Sequence, residues 1–333
     1  MNLVIVESPA KAKTINKYLG SEFNVLASFG HVRDLPSKNG SVNPDNNFSF
    51  EWEVSNTSKK HMKEIYEASE KASNLYLATD PDREGEAIAW HIVELLNKKK
   101  LLKDINVKRV VFSEITKNAV KEGIANPRNI DNDLVEAYLA RRALDYLFGF
   151  NLSPVLWRKL PGAKSAGRVQ SVALRLICER ELEIESFNPE EYWKIKADVE
   201  VEDGTHINAN LVSFEGKKVE KFTFKNEDQS KKIVEDIKNR KFKISDIQKK
   251  PASRNPDAPF STSTLQQTAS SIFGFGASRT MQIAQKLFQG IDIDGETVGL
   301  ITYMRTDSTE ISKEAIDSYR TYLKNNFDKA YLP

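Results

Sequence analysis

Residues 75–89 of the chain read LYLATDPDREGEAIA. The apolar start of this stretch predicts a buried strand, and the spacing of its apolar residues after the acidic segment predicts a helix. Three carboxylates, Asp80, Asp82 and Glu84, lie between the two at alternate positions. Since alternate residues of an extended segment point the same way, the pattern predicts a carboxylate cluster at the end of a strand.

A second strand of this kind opens the chain. Residues 3–6 are apolar, Glu7 lies in the loop after them, and a helix is predicted over Lys11 to Leu19 with Gly20 ending it. In open parallel sheets, ligands bind outside the carboxyl ends of the strands. We therefore expect Glu7 to lie beside the three carboxylates of the later loop.

Four carboxylates at one edge repel each other unless some are protonated or a cation lies between them. Oxygen ligands without a nearby Cys or His favour a hard cation, Mg²⁺ or Mn²⁺. The alternative to a metal site is that the acidic residues only favour the start of a helix. The Asp-x-Asp-x-Glu pattern is therefore weak evidence by itself. Cys178 is the single cysteine, which excludes a disulfide scaffold and a cysteine-based zinc site in this span and fits a reducing cytoplasm.

Positive charge is local rather than global. The net charge is only +2, yet residues 141–175 contain seven cations against the single anion Asp145, a net +6. Aromatic residues are interspersed with these cations, a combination that binds single-stranded nucleic acid. From charge alone, a localised polyanion site and a solvated face are equal alternatives.

The periodicity predicts a multidomain protein with α/β, α and β parts. Alternating apolar runs and helical patterns indicate βαβ units around a parallel sheet, and a later segment changes to the period of two that is typical of exposed strands. No apolar run approaches the ~18 residues of a membrane span, and the start of the chain lacks the pattern of a secretion signal. The predicted domains are 1–140 (α/β), 141–190 (helical), 191–252 (β-rich) and 253–333 (two helices resembling a helix-turn-helix, then a strand).

Residues 299–309 read GLITYMRTDST and place Tyr303 in the predicted strand, two residues before Arg305. Tyrosine is a poor nucleophile at neutral pH because its pKa is ~10. Attack on a phosphate therefore needs cations that stabilise the phenolate and the crowded phosphorus. Arg305 could supply one, and so could Lys11 or Lys13, although a tyrosine near an arginine is more often a packed surface pair.

Four long strings make the pattern specific. VIVESPAKAKTI (4–15), ATDPDREGEAIA (78–89), SAGRVQS (165–171) and ITYMRTDS (301–308) resemble the type IA DNA topoisomerases in order and rough spacing. The likeness is greater to the bacterial topoisomerase I branch than to topoisomerase III, and it covers essentially the whole chain. It implies a toprim domain, which is a Rossmann-like fold, followed by the core domains of that family.

The resemblance also implies roles for the candidate site residues. Tyr303 matches the nucleophile that becomes joined to a 5′ phosphate, Glu7 would pass a proton to the leaving 3′ oxygen, and Lys11 and Arg305 would steady the phosphate. Glu7, Asp80, Asp82 and Glu84 would hold Mg²⁺, with Glu7 and Asp80 as the direct ligands. No nucleotide fuel is implied, in agreement with the absence of a Gly-x-x-x-x-Gly-Lys-Ser/Thr motif.

Further residues match the family's single-strand binding region. By resemblance, the DNA contacts are Arg305 together with His31, Arg141, Arg142, Asp145, Phe150, Trp157, Ser165, Ala166, Gly167, Arg168, Val169 and Gln170. The expected partner is a single-stranded segment of negatively supercoiled duplex DNA. We expect a monomer in the cytoplasm, on the nucleoid, without a membrane contact.

The expected activity is relaxation of negatively supercoiled DNA without ATP. Because chains of this family continue well beyond position 333, we expect a truncated form that binds or nicks DNA without completing strand passage. One alternative is a topoisomerase III-like decatenase, and others are a non-catalytic nucleic-acid-binding protein and a toprim nuclease or primase. The intact acidic and tyrosine strings argue against the last two, since neither needs Tyr303.

Overall fold

The computed structural model describes residues 1–252 and 254–332. The chain forms two compact units, one made of Met1–Arg168 with Pro256–Pro333 and the other of Val169–Asn255. This division is coarser than the four predicted domains, whose boundaries stay predictions. None of the described helices is long and apolar enough to cross a membrane.

The elements follow each other in chain order. Up to residue 159 they are β1 (Asn2–Val6), α1 (Pro9–Leu19), β2 (Phe23–Ala27), β3 (Arg33–Asp34), β4 (Val42–Asn43), β5 (Ser49–Phe50), β6 (Glu53–Val54), α2 (Asn56–Ser69), β7 (Asn74–Leu77), α3 (Arg83–Lys98), β8 (Asn106–Arg109), α4 (Lys117–Ala125) and α5 (Asn132–Lys159). Then come α6 (Arg168–Glu185), β9 (Lys196–Glu200), β10 (His206–Asn210), β11 (Ser213–Phe214), β12 (Lys217–Lys218) and α7 (Glu227–Lys238). The last are α8 (Thr262–Phe273), α9 (Ala277–Gln289), β13 (Ile291–Ile293), β14 (Glu296–Val298) and α10 (Lys313–Asn326).

A parallel sheet in the order β2-β1-β7-β8 lies at the centre of the first unit, which confirms the predicted α/β fold. Residues 3–6 of β1 are fully buried, because the sheet has a hydrophobic core on each face. One core joins Leu3 and Ile5 to apolar residues of α2 and α3. The other joins Val4 and Val6 to Phe288 and Tyr303 from the late part of the chain. The tyrosine segment therefore packs directly on the sheet that carries the acidic loops.

Glycines and side-chain hydroxyls define several helix ends, among them the predicted end of α1 at Gly20. Gly20 follows α1 with a φ of +80°, a value that L side chains rarely adopt. The Thr116 hydroxyl caps α4, and the Ser312 hydroxyl caps α10. Each hydroxyl accepts a hydrogen bond from the backbone N–H three residues later. Helices α8 and α9 form the predicted pair, and α8 ends at Gly274 in the left-handed conformation.

Some predicted strands are wrong. Residues 299–304 form no regular strand, because the Leu300 and Tyr303 amides donate to Leu287 and Ser113, on different elements, rather than to one neighbouring strand. Gly299 packs so closely that a Cβ at this position would lie 2.9 Å from the Phe288 carbonyl oxygen. In the second unit, where a β-rich segment was predicted, β9 and β10 pair antiparallel, whereas residues 219–224 and 241–248 form no strand.

Gly85 lies in the first turn of α3 and packs directly against the backbone of the acidic loop. A Cβ at this position would lie 2.1 Å from the Asp80 carbonyl oxygen, so Gly85→Ala must displace the backbone of the loop. We expect this variant to lose about 1–3 kcal/mol of unfolding free energy, the usual cost of overpacking, measured by chemical denaturation. Gly149→Ala in α5 is the control: the nearest atom would be 4.0 Å away, so its stability should equal or slightly exceed that of the parent. Equal stability of the two variants would contradict this account of Gly85.

Candidate active site

A cleft of about 970 Å³ opens where β1 and β7 end. The structure brings eight of the predicted site residues to its walls: Glu7, His31, Asp80, Asp82, Glu84, Arg141, Tyr303 and Arg305. Sheet topology explains the two acidic loops, because neighbouring parallel strands end at the same edge. The tyrosine reaches the same edge only through the packing of the late segment on the sheet.

Asp82 connects the acidic loop to the tyrosine. Its Oδ1 accepts a hydrogen bond from the backbone N–H of Gly85 at 2.9 Å and so caps α3. Its Oδ2 accepts from the Tyr303 hydroxyl at 2.5 Å and lies 3.3 Å from an Arg305 nitrogen. The phenol oxygen is thus held on the acidic loop across 221 positions of sequence.

Lys11 lies between two other carboxylates. Its ammonium is 3.0 Å from Asp80 Oδ1 and 3.1 Å from Glu7 Oε1, and its side chain is 1% exposed. The same ammonium lies 5.1 Å from the centre of the Phe112 ring and 5.9 Å from that of Phe288, distances at which aromatic faces attract a cation. The short helix α1 places Lys11 here one turn after Glu7.

Glu84 lies in the first turn of α3, not in an extended segment as predicted, and it pairs with different groups. Its carboxylate lies 3.2 Å from His31 Nε2 and 3.7 Å from an Arg141 nitrogen. The hydrogen bond with His31 and the nearby Arg141 charge hold the pKa of Glu84 below its usual range, against the opposing effect of burial. The His31 ring in turn stacks on Tyr138 at 5.8 Å between centroids.

Different cations thus separate the four predicted metal ligands. Among the residues that the structure describes, no three Asp, Glu, His or Cys side chains converge closely enough to enclose a metal ion. The predicted set therefore shares one cleft but not one coordination sphere. Glu7 and Asp80 come nearest to such a site, because Glu7 Oε1 and Asp80 Oδ1 converge on one ammonium at 3.1 and 3.0 Å.

Arg109 is a residue that the sequence analysis missed. Its fully buried guanidinium donates to the carbonyl oxygens of residues 77, 79 and 80, and so grips the backbone of the acidic loop. The Glu86 carboxylate, which is also fully buried, forms an ion pair with Arg109 at 2.9 Å. Arg128 forms a second ion pair with the same carboxylate. The only signal in the sequence is a pair of cations, Lys108 and Arg109, at the end of the short strand β8, and it does not reveal the partner of Arg109.

Burial affects the two groups that the resemblance assigns to proton transfer and attack. It raises the pKa of Glu7 to about 7; the Lys11 charge opposes this shift, while Asp80 adds to it. Burial also raises the pKa of Tyr303 well above its usual range, as do the hydrogen bond to Asp82 and the charge of Asp80. Tyr303 is therefore held as a neutral hydrogen-bond donor in this arrangement, and Arg305 only partly offsets the effect.

A second, smaller cavity of about 230 Å³ continues the cleft along α5. The two cavities share His31, Glu84 and Arg141, and the second adds Arg142 and Asp145. Each of these arginines already pairs with an acid: Arg142 with Asp34, and Arg141 with Glu84 and Asp145. The basic stretch of the sequence is therefore partly neutralised by its neighbours, which a count of charges does not show.

The remaining predicted DNA contacts lie further along α5 and the loop after it. Phe150 is exposed and stacks on Tyr146 at 4.4 Å, and Trp157 is also exposed and donates to the Lys164 carbonyl oxygen. Arg168 forms a two-point ion pair with Asp145, at 2.8 and 3.2 Å, which lowers the pKa of that carboxyl. Ser165, Ala166 and Gly167 form the loop before α6, and Val169 and Gln170 begin the second unit.

Two family models together match most of the chain. A family model described as toprim domain matches residues 2–115, and one described as DNA topoisomerase matches residues 129–333. A crystal structure of full-length topoisomerase I from Thermotoga maritima matches with a TM-score of 0.81 and 40% identity, over 99% of this chain and 54% of that one.

Curated relatives are similar over the whole chain. A protein named DNA topoisomerase 1 from Rickettsia bellii is 56% identical over 100% of this chain and 42% of its own length. The protein of the same name from Xylella fastidiosa is 52% identical. The match covers the whole of this chain and 41% of the Xylella protein. The chain thus spans less than half the length of these relatives.

The raised pKa of Glu7 predicts a pH dependence of stability without divalent metal. The unfolded chain releases this proton near 4.5 and the folded chain near 7, so the stabilising contribution is complete below 4.5 and is lost as the pH rises through about 7. Between these values, the unfolding free energy of the parent should fall relative to Glu7→Gln by on the order of 1–3 kcal/mol.

Glu84→Gln is the control with the opposite sign. Because the pKa of Glu84 is lowered on folding, the parent should lose stability relative to this variant as the pH falls. Denaturant titrations across the pH range, in buffer with a chelator, measure both differences. Parallel curves for the parent and Glu7→Gln would show that Glu7 titrates normally.

Proposed function

The chain belongs to the type IA DNA topoisomerases, and on this premise we propose that it cuts one DNA strand through Tyr303. One observation carries the proposal: the Tyr303 hydroxyl lies 2.5 Å from Asp82, in the cleft that contains Glu7 and Asp80. A nucleophile, carboxylates and cations at one place are what transfer of a phosphoryl group requires.

The proposed step exchanges one phosphodiester for another. The Tyr303 oxygen attacks the phosphorus, the bond from phosphorus to the 3′ oxygen breaks, and the 5′ phosphate stays joined to the tyrosine. Asp82 already accepts the hydrogen bond of the hydroxyl, so it is the nearest acceptor for the phenol proton. Because the new bond is again a phosphodiester, the freed 3′ hydroxyl can reverse the reaction without ATP.

Glu7 is suited to protonate the leaving 3′ oxygen. Its pKa of about 7 means that it holds a proton in a large share of molecules at neutral pH, which is the condition for a general acid. Arg305, beside Tyr303 and Asp82, is placed to stabilise negative charge on the phosphate. Lys11 is a second cation for the phosphate. To reach the phosphate, the Lys11 ammonium has to leave one of the two carboxylates that it bridges.

We further propose Mg²⁺ or Mn²⁺ as the cofactor. Asp80, together with Glu7 in its ionised form, would be the first ligand, because the oxygens of the two side chains converge on one point, and Asp82 and Glu84 would complete the acidic set. Oxygen donors of this kind fit a hard cation. When bound, such an ion would stabilise negative charge on the transferring phosphate.

The proposed path of the DNA strand runs from the cleft along α5. The two adjoining cavities share His31 and Arg141, and stacking surfaces at Phe150 and Trp157 lie further along the same helix. We place residues 165–168, which are the loop before α6 and the first residue of that helix, at the end of this path. Single-stranded DNA is bound by this combination of cations and aromatic rings.

The activity of the whole protein is a wider proposal, since the chain spans less than half the length of its relatives. It comprises passage of a strand through the break, religation, and relaxation of negatively supercoiled DNA by a monomer on the nucleoid. The four-domain division, with boundaries near 140, 190 and 252, is part of the same proposal.

We expect a covalent adduct between Tyr303 and the 5′ end of a cleaved single strand when the reaction is stopped with detergent in the presence of Mg²⁺. An oligonucleotide labelled at its 3′ end should leave its label on the protein, and one labelled at its 5′ end should not. Peptide mapping should locate the link at Tyr303. Recovery on another residue, or retention of the 5′ label, would falsify the assignment.

Tyr303→Phe and Tyr319→Phe form a matched pair for this assay. The first variant should form no adduct while keeping most of its affinity for single-stranded DNA, because only the nucleophilic oxygen is lost. The second removes the hydroxyl of an exposed tyrosine outside the cleft and should form the adduct as the parent does. A large loss of affinity in Tyr303→Phe would instead make this tyrosine a binding residue.

A further inference from the structure

One wall of the cleft is formed by a single face of α9. Ser278, Met281, Gln282 and Gln285 all line the cleft, and their spacing of three and four residues places them on one stripe of the helix. The sequence analysis assigned no role to these residues. The proposed cleavage does not use them either.

The neighbouring face of α9 is packed against the sheet and against the tyrosine. Thr280, Ala284 and Phe288 are buried, and the Phe288 ring lies edge-on to that of Tyr303, with 5.3 Å between the centroids. Because the same helix carries both faces, the stripe in the cleft has a fixed position relative to the tyrosine. Any group bound against it is therefore in register with the reacting oxygen.

The chemistry of this wall differs from that of the rest of the cleft. The acids, arginines and His31 of the other walls are ionisable, whereas all four residues of the stripe are uncharged. Within the described chain, the Ser278 hydroxyl and the amides of Gln282 and Gln285 form no hydrogen bond with another residue. These amides are free to donate and to accept towards a ligand.

A nucleotide presents two kinds of surface, and the two kinds of wall match them. Its phosphate needs cations, which lie beside Tyr303. Its base offers neutral donors and acceptors that side-chain amides recognise, and a flat ring against which a thioether such as that of Met281 packs favourably. A cavity of about 970 Å³ is at the upper end of the range of ~300–1,000 Å³ found for ligand pockets, so it has room for both.

We propose that the α9 stripe contacts the bases next to the scissile phosphate, with Gln282 and Gln285 hydrogen-bonding to base edges and setting the sequence preference of cleavage. This inference rests on the proposed cleavage through Tyr303. It adds a part of the site that selects among sequences to the part that performs the chemistry.

Gln282→Met and Gln285→Met test it, because methionine keeps the length of the side chain and removes the amide. Adducts formed on a mixed-sequence single strand labelled at its 3′ end are resolved to give the ratio of preferred to disfavoured sites. Dissociation constants of oligonucleotides that differ in one base give the same ratio without cleavage. Gln267→Met is the matched control, since Gln267 is exposed on α8 and does not line the cleft.

We expect at least one of the two variants to reduce the ratio by about tenfold, the effect of losing one good base contact, and the control to keep the ratio of the parent. A lower yield of adduct with unchanged ratios in both variants would mean that the stripe only supports the structure, and would overturn the inference. Absence of any adduct with the parent would contradict the proposed cleavage instead, while the oligonucleotide affinities would still decide whether the stripe selects bases.

Discussion

Four carboxylates share one cleft, and the surrounding structure has to keep them there against their mutual repulsion. Two unit charges 4 Å apart repel by about 4 kcal/mol at the effective dielectric constant near a protein surface. Lys11 offsets this repulsion between Glu7 and Asp80, Arg305 offsets it at Asp82, and Arg141 offsets it at Glu84. The buried guanidinium of Arg109 holds the backbone of the loop from behind. The site is therefore an arrangement of alternating charges rather than an isolated acidic patch.

The same arrangement explains why the tyrosine is unreactive before a substrate binds. A tyrosine buried beside two carboxylates has a raised pKa and stays protonated, which protects it from unproductive chemistry. Activation requires positive charge near the phenol oxygen or removal of its contact with Asp82. In the proposed function, a phosphate drawn in by Arg305 and Lys11 would bring about such a change, so that the substrate would help to create the reactive state.

The local parts of this protein could be predicted from its sequence, and the long-range contacts could not. Alternating apolar segments with Gly20, Thr116 and Ser312 at their ends specify strands and helices, because helix caps depend on neighbouring residues only. The acidic loops follow from the same logic, since parallel strands end at one edge. The meeting of Tyr303 with Asp82 depends on packing across 221 positions, and no local pattern records it; only the resemblance to a family predicted it. The strand predicted at 299–304 failed because that segment bonds to two separate elements instead of one neighbour.

The central claim is that the tyrosine hydroxyl and the acidic loop touch, and a double-mutant cycle measures that contact directly. Unfolding free energies of the parent, Tyr303→Phe, Asp82→Asn and the double variant give the coupling between the two groups. A hydrogen bond to a charged group contributes about 1.5–3 kcal/mol, so the account predicts a coupling of about that size. Additive effects of the two substitutions would show that the groups do not interact, and would contradict the site described above.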